Sequence, residues 1–131
     1  MPDIILPIRD KEVLDNIQMD FCELSNYCKE LNVVGVHAFH MPEKDSNEIY
    51  ARNFAPLVGI NEESATGTAN GCLIYYLKKN SLINRNKIIV LQGESLNRPS
   101  EVYCYIEEDN DTFKIKVGGR ANITLEGIIK F

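Results

Sequence analysis

A chain of 131 residues with 44% apolar and 25% charged side chains is ordinary globular material able to bury a core, and its length predicts a single domain over 1–131. Its net charge of −5 excludes a general nucleic-acid surface, because phosphate binding needs clustered Lys and Arg, whereas Lys78, Lys79, Arg85 and Lys87 spread around a helix end and the following loop. No apolar run approaches a membrane span and the N-terminus lacks the apolar core of a signal peptide, so a cytoplasmic protein is expected, with neither membrane nor nucleic acid among its partners.

In chain order, Ile4 to Ile8 reads as a strand interrupted by Pro7 and therefore as an edge. Lys11 to Ile17 is a short helical piece. Asp20 opens a clearer helix, with Glu23 at capping-box spacing and Phe21, Leu24, Cys28 and Leu31 on one face, and Asn32 ends it. Val33 to Phe39 is β-branched and apolar, the mark of a buried strand, and Glu48 to Phe54 returns as another. His37 and His40 point to opposite faces of a strand, which argues against a shared metal and for solvated or locally hydrogen-bonded rings. The four cysteines show no metal-ligand spacing and no C-x-x-C pair, so they are read as reduced packing residues.

Phe54 to Leu77 holds both the chemistry and the core. Its front half is a polar turn with Glu62, Glu63 and several hydroxyls; its back half is apolar on nearly every side apart from Asn70. A helix apolar all round has to be wrapped, so Thr68 to Lys78 is predicted as a central buried helix. Thr66 and Thr68 are both acceptable N-caps, and Gly67 admits an unusual backbone or a close approach. The helix start, with its unpaired N–H groups and partial positive charge, offers Gly67, Thr68 and Ala69 to a small anion, most naturally a carboxylate, beside Glu63 as an acid or base. The same residues also fit a plain capped helix whose acidic neighbours favour its dipole.

Beyond that helix, Ile88 to Gln92 is a strand with Gly93 at a bulge or close approach. Val102, Cys104 and Ile106, then Phe113, Ile115 and Val117, then Ala121, Ile123 and Leu125 alternate with polar neighbours, predicting three strands with one wet face. Glu108 to Asp111 turns the first into the second, and Gly118-Gly119 the second into the third. The expected fold is α+β: a curved, mainly antiparallel sheet wrapped around the central α-helix, with the Asp20 helix outside. Gly67 and Gly71 fit as places where strands come close to that helix. The absence of G-x-G-x-x-G and of crossover helices argues against a dinucleotide-binding domain.

Arg52-Asn53-Phe54-Ala55-Pro56, Gly59-Ile60 and Glu62-Glu63-Ser64-Ala65-Thr66-Gly67-Thr68-Ala69 resemble the C-terminal signature of the PhzF-like (phenazine biosynthesis) isomerases, R-x-F-A-P…G-x-x-E-D-P-A-T-G-S-A. Gln92-Gly93, Arg98-Pro99-Ser100, Val117-Gly118-Gly119 and Glu126-Gly127 continue the pattern in order. The resemblance covers essentially the whole chain but half of the family's usual length. It implies one domain of the diaminopimelate-epimerase-like fold, and proton transfer on a small carboxylate-bearing metabolite without metal or organic cofactor. It also implies catalytic roles for Glu63 and Thr68, with Thr66, Gly67, Thr68 and Ala69 binding substrate. Glu63 stands where the family has aspartate, Ser64 where it has proline, and the N-terminal catalytic glutamate has no counterpart. The chain is therefore expected to act as half of an isomerase, completed by a homodimer partner or by a separate N-terminal-half chain. The alternative is a non-catalytic remnant or small-anion-binding module.

Overall fold

The structure, a computed structural model, describes residues 2–110 and 112–130. The strands are β1 (Ile4–Pro7), β2 (Val36–His40), β3 (Glu48–Ala55), β4 (Ile60–Glu63), β5 (Lys87–Gln92), β6 (Ser100–Asp109) and β7 (Thr112–Gly118); the helices are α1 (Lys11–Asp15), α2 (Phe21–Leu31) and α3 (Gly67–Lys79). The strands form one curled sheet in the order β1-β2-β3-β5-β6-β7. β1 pairs parallel with β2 and β3 parallel with β5, while the remaining ladders are antiparallel. Pro7 lies on an edge strand, where its missing N–H is harmless.

β3 forks. Its first half, Glu48 to Ala51, pairs with β5, and on the same side its second half pairs with β4 through Asn53 and Ala55. The chain leaves β4 at this fork and enters α3, so the fork delivers the Glu62–Thr66 turn to the start of the helix.

Alternation along β2 and β3 separates two cores. Phe39, Ile49 and Ala51 face α3 and join Leu73, Ile74, Leu77, Ile88, Val90 and Ile106. Val36, Ala38 and Phe54 face the opposite way and join Leu14, Leu24 and Cys28 of α1 and α2. α2 is capped as its sequence predicts: Asp20 Oδ1 accepts from the N–H groups of Cys22 and Glu23, and Asn32 ends it in the left-handed region at φ 54°. Leu31, predicted on the covered face, is half exposed.

Two expectations need correction. α3 is wrapped on one side only: Ala69, Asn70, Gly71, Leu73, Ile74 and Leu77 are buried, while the stripe Thr68, Cys72, Tyr75 and Lys79 is partly or fully open. The absence of charge along Cys72 to Leu77 suggested burial all round, but Tyr75 is covered by an edge-on contact to Phe113 and by the Lys79 ammonium above its ring, not by a closed sheet. The sheet is thus a half-barrel. The second correction concerns the strand predicted at Ala121 to Glu126. Residues 119–130 carry no secondary structure, and Ile123, Leu125, Ile128 and Ile129 are 80–90% exposed. Alternation reports which side chains suit a half-buried pleat, not that a surface within reach receives them. Of the turn predicted at Glu108 to Asp111, Asn110 adopts φ 44°, while Asp111 lies outside the described residues.

β7 passes beside Gly67 and Gly71, but at ordinary packing distance, so neither position requires a glycine for space. A Cβ on Gly71 would meet Val117 and Ile115 of β7 at 3.4 and 3.5 Å, and one on Gly67 would meet Val117 at 3.7 Å. Gly35 is tighter, because a Cβ there would be driven into the backbone carbonyl oxygen of Phe54. We expect Gly35→Ala to lower stability by about 1–3 kcal/mol through this overlap. Gly71→Ala makes ordinary contacts and gains helix propensity, so it should be neutral or stabilising by up to about 1 kcal/mol. Urea unfolding of both variants checks the contrast, and equal losses would contradict the crossing geometry.

Candidate functional site

The turn between β4 and α3 is held at three points. At the first, Arg52 of β3 reaches back to make a bidentate pair with Glu62, both nitrogen–oxygen distances being 2.9 Å, with the two side chains only 12% and 9% exposed. Its other terminal nitrogen donates to the carbonyls of Leu14, Asp15 and Ile17, and Ser95 donates to Glu62 at 2.6 Å. Burial alone would push the Glu62 carboxyl up, but the Arg52 and Ser95 hydrogen bonds outweigh it and hold the group below the usual carboxylate range. Glu62 is a structural anchor. The second point is Gly93, at φ 85°, whose missing side chain lets the Ser64 and Arg98 carbonyls close in.

The third point is a buried polar chain. His37 and Gln92 are fully buried, as is Asn70 in the middle of α3. Gln92 Nε2 donates to the Glu63 carbonyl at 2.7 Å and to Thr66 Oγ1 at 3.1 Å. Asn70 Nδ2 donates to the Thr66 carbonyl and to Gln92 Oε1, both at 2.9 Å. The two backbone carbonyls can only accept, so both carboxamides must present nitrogen to them, and Asn70 Oδ1 is left to face His37 Nε2 at 2.9 Å. His37 therefore carries its proton on Nε2. Burial lowers its ionisation below the ordinary histidine value against the opposing Asn70 and Asn53 contacts, which favours the neutral ring. Asn53 Oδ1 lies 3.1 Å from Nδ1; a neutral ring accepts there, so the Asn53 carboxamide has to present its nitrogen, a half-turn about its last bond.

The predicted site residues separate under this geometry. Thr66 is the N-cap by backbone conformation, yet its side chain makes no capping bond and turns to Gln92 instead. Gly67 has an ordinary helical backbone without a positive φ, and a Cβ there would make only ordinary contact with Val117. Thr68 is exposed on the open stripe, and Ala69 is buried. Glu63 is half buried, and its Oε1 accepts from the Ser64 N–H at 2.8 Å and from the Ser64 hydroxyl at 3.3 Å.

In front of Gly67 lies a concavity of about 660 Å³, walled by Ala65, Gly67, Ser100, Glu101, Gly118 and Arg120 among others. Of the predicted residues only Gly67 lines it. Sequence reasoning did not reach its polar rim: Tyr103 donates to Glu101 at 2.6 Å, and Arg120, immediately after Gly118-Gly119, donates to the Tyr103 hydroxyl at 3.1 Å. An arginine following a glycine pair was the available signal. Among the described residues no group of three or more His, Cys, Asp or Glu side chains could hold a metal ion, and no helix is long and apolar enough to cross a membrane.

The PhzC-PhzF family model, described as phenazine biosynthesis-like protein, matches residues 1–127. A Deinococcus radiodurans protein named an uncharacterized isomerase is 32% identical over 130 residues, covering 95% of this chain and 42% of its own length. The trans-2,3-dihydro-3-hydroxyanthranilate isomerase of Pseudomonas aeruginosa is 33% identical over 79 residues, 59% of this chain and 28% of that protein. Among solved structures, the Bacillus anthracis phenazine biosynthesis protein of the PhzF family superposes with a TM-score of 0.71 at 21% identity, over 88% of this chain and 41% of that one. The chain spans less than half the length of the Deinococcus relative and of an uncharacterized isomerase of Clostridium acetobutylicum that it also matches.

The Arg52–Glu62 anchor has a pH signature. With the native carboxyl depressed, its contribution is complete above the unfolded value of about 4.3 and is lost as pH falls through the native one. The urea midpoint of the wild type should therefore fall in acid, and Glu62→Gln should flatten that fall. Arg52→Leu, which strands the carboxylate, should cost about 3 kcal/mol at neutral pH. An Arg52→Leu midpoint equal to wild type would remove the anchor.

Proposed function

The chain belongs to the phenazine biosynthesis-like protein family, and from that membership we propose that it carries one side of a PhzF-like isomerase site. The reaction is a proton-transfer isomerisation of a small carboxylate-bearing metabolite: one carbon–hydrogen bond breaks, a proton returns at another carbon, and no other atom is gained or lost. Glu63 acts as acid or base. The N–H groups of Gly67, Thr68 and Ala69 receive the substrate carboxylate, with the Thr66 and Thr68 hydroxyls beside it. No metal or organic cofactor takes part. The observation that carries this reading is a helix start whose N-cap side chain is turned away, opening beside the concavity at Gly67.

The site is completed by a second half, either a homodimer partner or a separate N-terminal-half chain. Support comes from the open stripe of α3 and from the exposed Ile123, Leu125, Ile128 and Ile129, an apolar display that soluble surfaces seldom leave uncovered. In a homodimer two Glu63 side chains would face one shared cleft. The second reading, a non-catalytic anion-binding module, is favoured by the two Ser64 hydrogen bonds that turn Glu63 back onto its own loop.

Sulfate titration followed by amide resonances should move Gly67, Thr68 and Ala69 most. Gly67→Val, placed against Val117, should weaken binding at least about tenfold, whereas Glu63→Gln should leave it intact or tighter by removing a negative charge. Shifts concentrated elsewhere would remove the site. Deuterium incorporation into trans-2,3-dihydro-3-hydroxyanthranilate in D2O, measured on the completed assembly, separates the two readings. Glu63→Gln should slow it by about a hundredfold or more if Glu63 transfers protons. Unchanged incorporation in Glu63→Gln would remove Glu63 as the acid or base, and no incorporation by the wild-type assembly would favour the binding module.

A further inference from the structure

Thr66 poses a local puzzle. Threonine at an N-cap ordinarily turns its hydroxyl onto the N–H two or three residues on, here Thr68 or Ala69, and so closes the helix start. In this chain the position is right, with Thr66 at φ −124° and ψ 103°, but the bond is not made. Its Oγ1 instead receives Gln92 Nε2. Gln92 has no freedom to do otherwise. Its Oε1 is taken by Asn70 Nδ2 and the other hydrogen of its Nε2 by the Glu63 carbonyl, and the whole side chain is buried. Turning the amide over would set its oxygen against the Glu63 carbonyl and its nitrogen against the Asn70 nitrogen, leaving buried groups unpaired on both sides.

We propose that Gln92 is a positioning residue that withholds the Thr66 hydroxyl from the start of α3, so that the first-turn N–H groups stay free of a side-chain cap. Asn70 and His37 act one step behind it by fixing the orientation of its carboxamide. The proposal rests on the reading that those N–H groups receive a carboxylate, and it adds the cause of their availability. A threonine free to rotate would be its own competitor for the ligand site. The diversion also ties the Glu63 backbone and the Thr66 hydroxyl to one side-chain nitrogen, so the proposed acid or base and the helix start cannot drift independently.

The test uses Gln92→Leu, which keeps the bulk and removes both donors and the acceptor. In that variant Thr66 should rotate onto the helix, and the Ala69 amide should exchange with solvent about fivefold more slowly than in the wild type, the protection given by an N-cap bond of ordinary strength. Adding Thr66→Val should return the exchange to the wild-type rate, a reversal that loss of packing at Gln92 would not produce. Where Gln92→Leu does not fold, Thr66→Val alone decides. It should leave Ala69 exchange within about twofold of wild type, because no cap is lost, while shifting the Gln92 side-chain amide resonances. Faster Ala69 exchange in Thr66→Val, or unchanged exchange in a folded Gln92→Leu, would overturn the proposal. Failure of the underlying reading shows separately, as the absence of any sulfate response at Gly67, Thr68 and Ala69 in the wild-type protein.

Discussion

Two backbone carbonyls, those of Glu63 and Thr66, set the direction of the hydrogen bonds that run through the floor of the half-barrel. Because each can only accept, Gln92 and Asn70 are both oriented nitrogen-first toward the turn, and the requirement passes through Asn70 to the buried ring of His37. The chain crosses three elements, with His37 on β2, Asn70 on α3 and Gln92 on β5. A change at any one of them would leave a buried donor or acceptor unpaired, at a cost of about 1–3 kcal/mol. Such a fully satisfied network specifies one arrangement of helix, sheet and turn where apolar packing alone would tolerate several.

The remaining anchors serve the same turn from outside. Arg52 holds Glu62 on the far side of β3, and Gly93 gives Ser64 room on the near side. The turn that carries the family signature is therefore supported on both faces of the sheet. Support of this kind matters because acid or base work is sensitive to displacements on the order of 1 Å. The concavity at Gly67 is walled by residues of β6 and β7, whereas the stripe Thr68, Cys72, Tyr75 and Lys79 is the side of α3 that the sheet leaves open.

Much of this was legible in the sequence. Capping at Asp20 and Asn32, the edge position of Pro7, the alternation of β6, and the passage of β7 beside Gly67 and Gly71 all follow from local rules, since each depends on residues within one or two elements, whereas β7 forms where its alternation predicts but leaves Ile115 and Val117 exposed. The signature from Arg52 to Ala69 identified the family for the same reason. What was not legible depends on residues distant in the chain. Nothing local says that Gln92 will claim the Thr66 hydroxyl, that Asn70 is a relay and not a misfit in an apolar helix, or that His37 is buried at 0% exposure instead of solvated. The segment after Gly118 failed in the opposite sense. Its alternation is clear, but among the described residues no strand pairs with it.

The network's polarity leads to one observable that no apolar-packing account requires. If the Glu63 and Thr66 carbonyls dictate the chain of donors, His37 is neutral and protonated on Nε2, and burial keeps it so below the ordinary histidine value of about 6.5. Long-range nitrogen–proton correlation of the imidazole, followed from neutral pH to about pH 5.5, reads both facts at once. The account predicts an Nε2-protonated neutral ring at neutral pH that takes up its second proton only below the ordinary histidine value. A ring protonated on Nδ1 alone, or one that takes up its second proton at or above about pH 6.5, would contradict it.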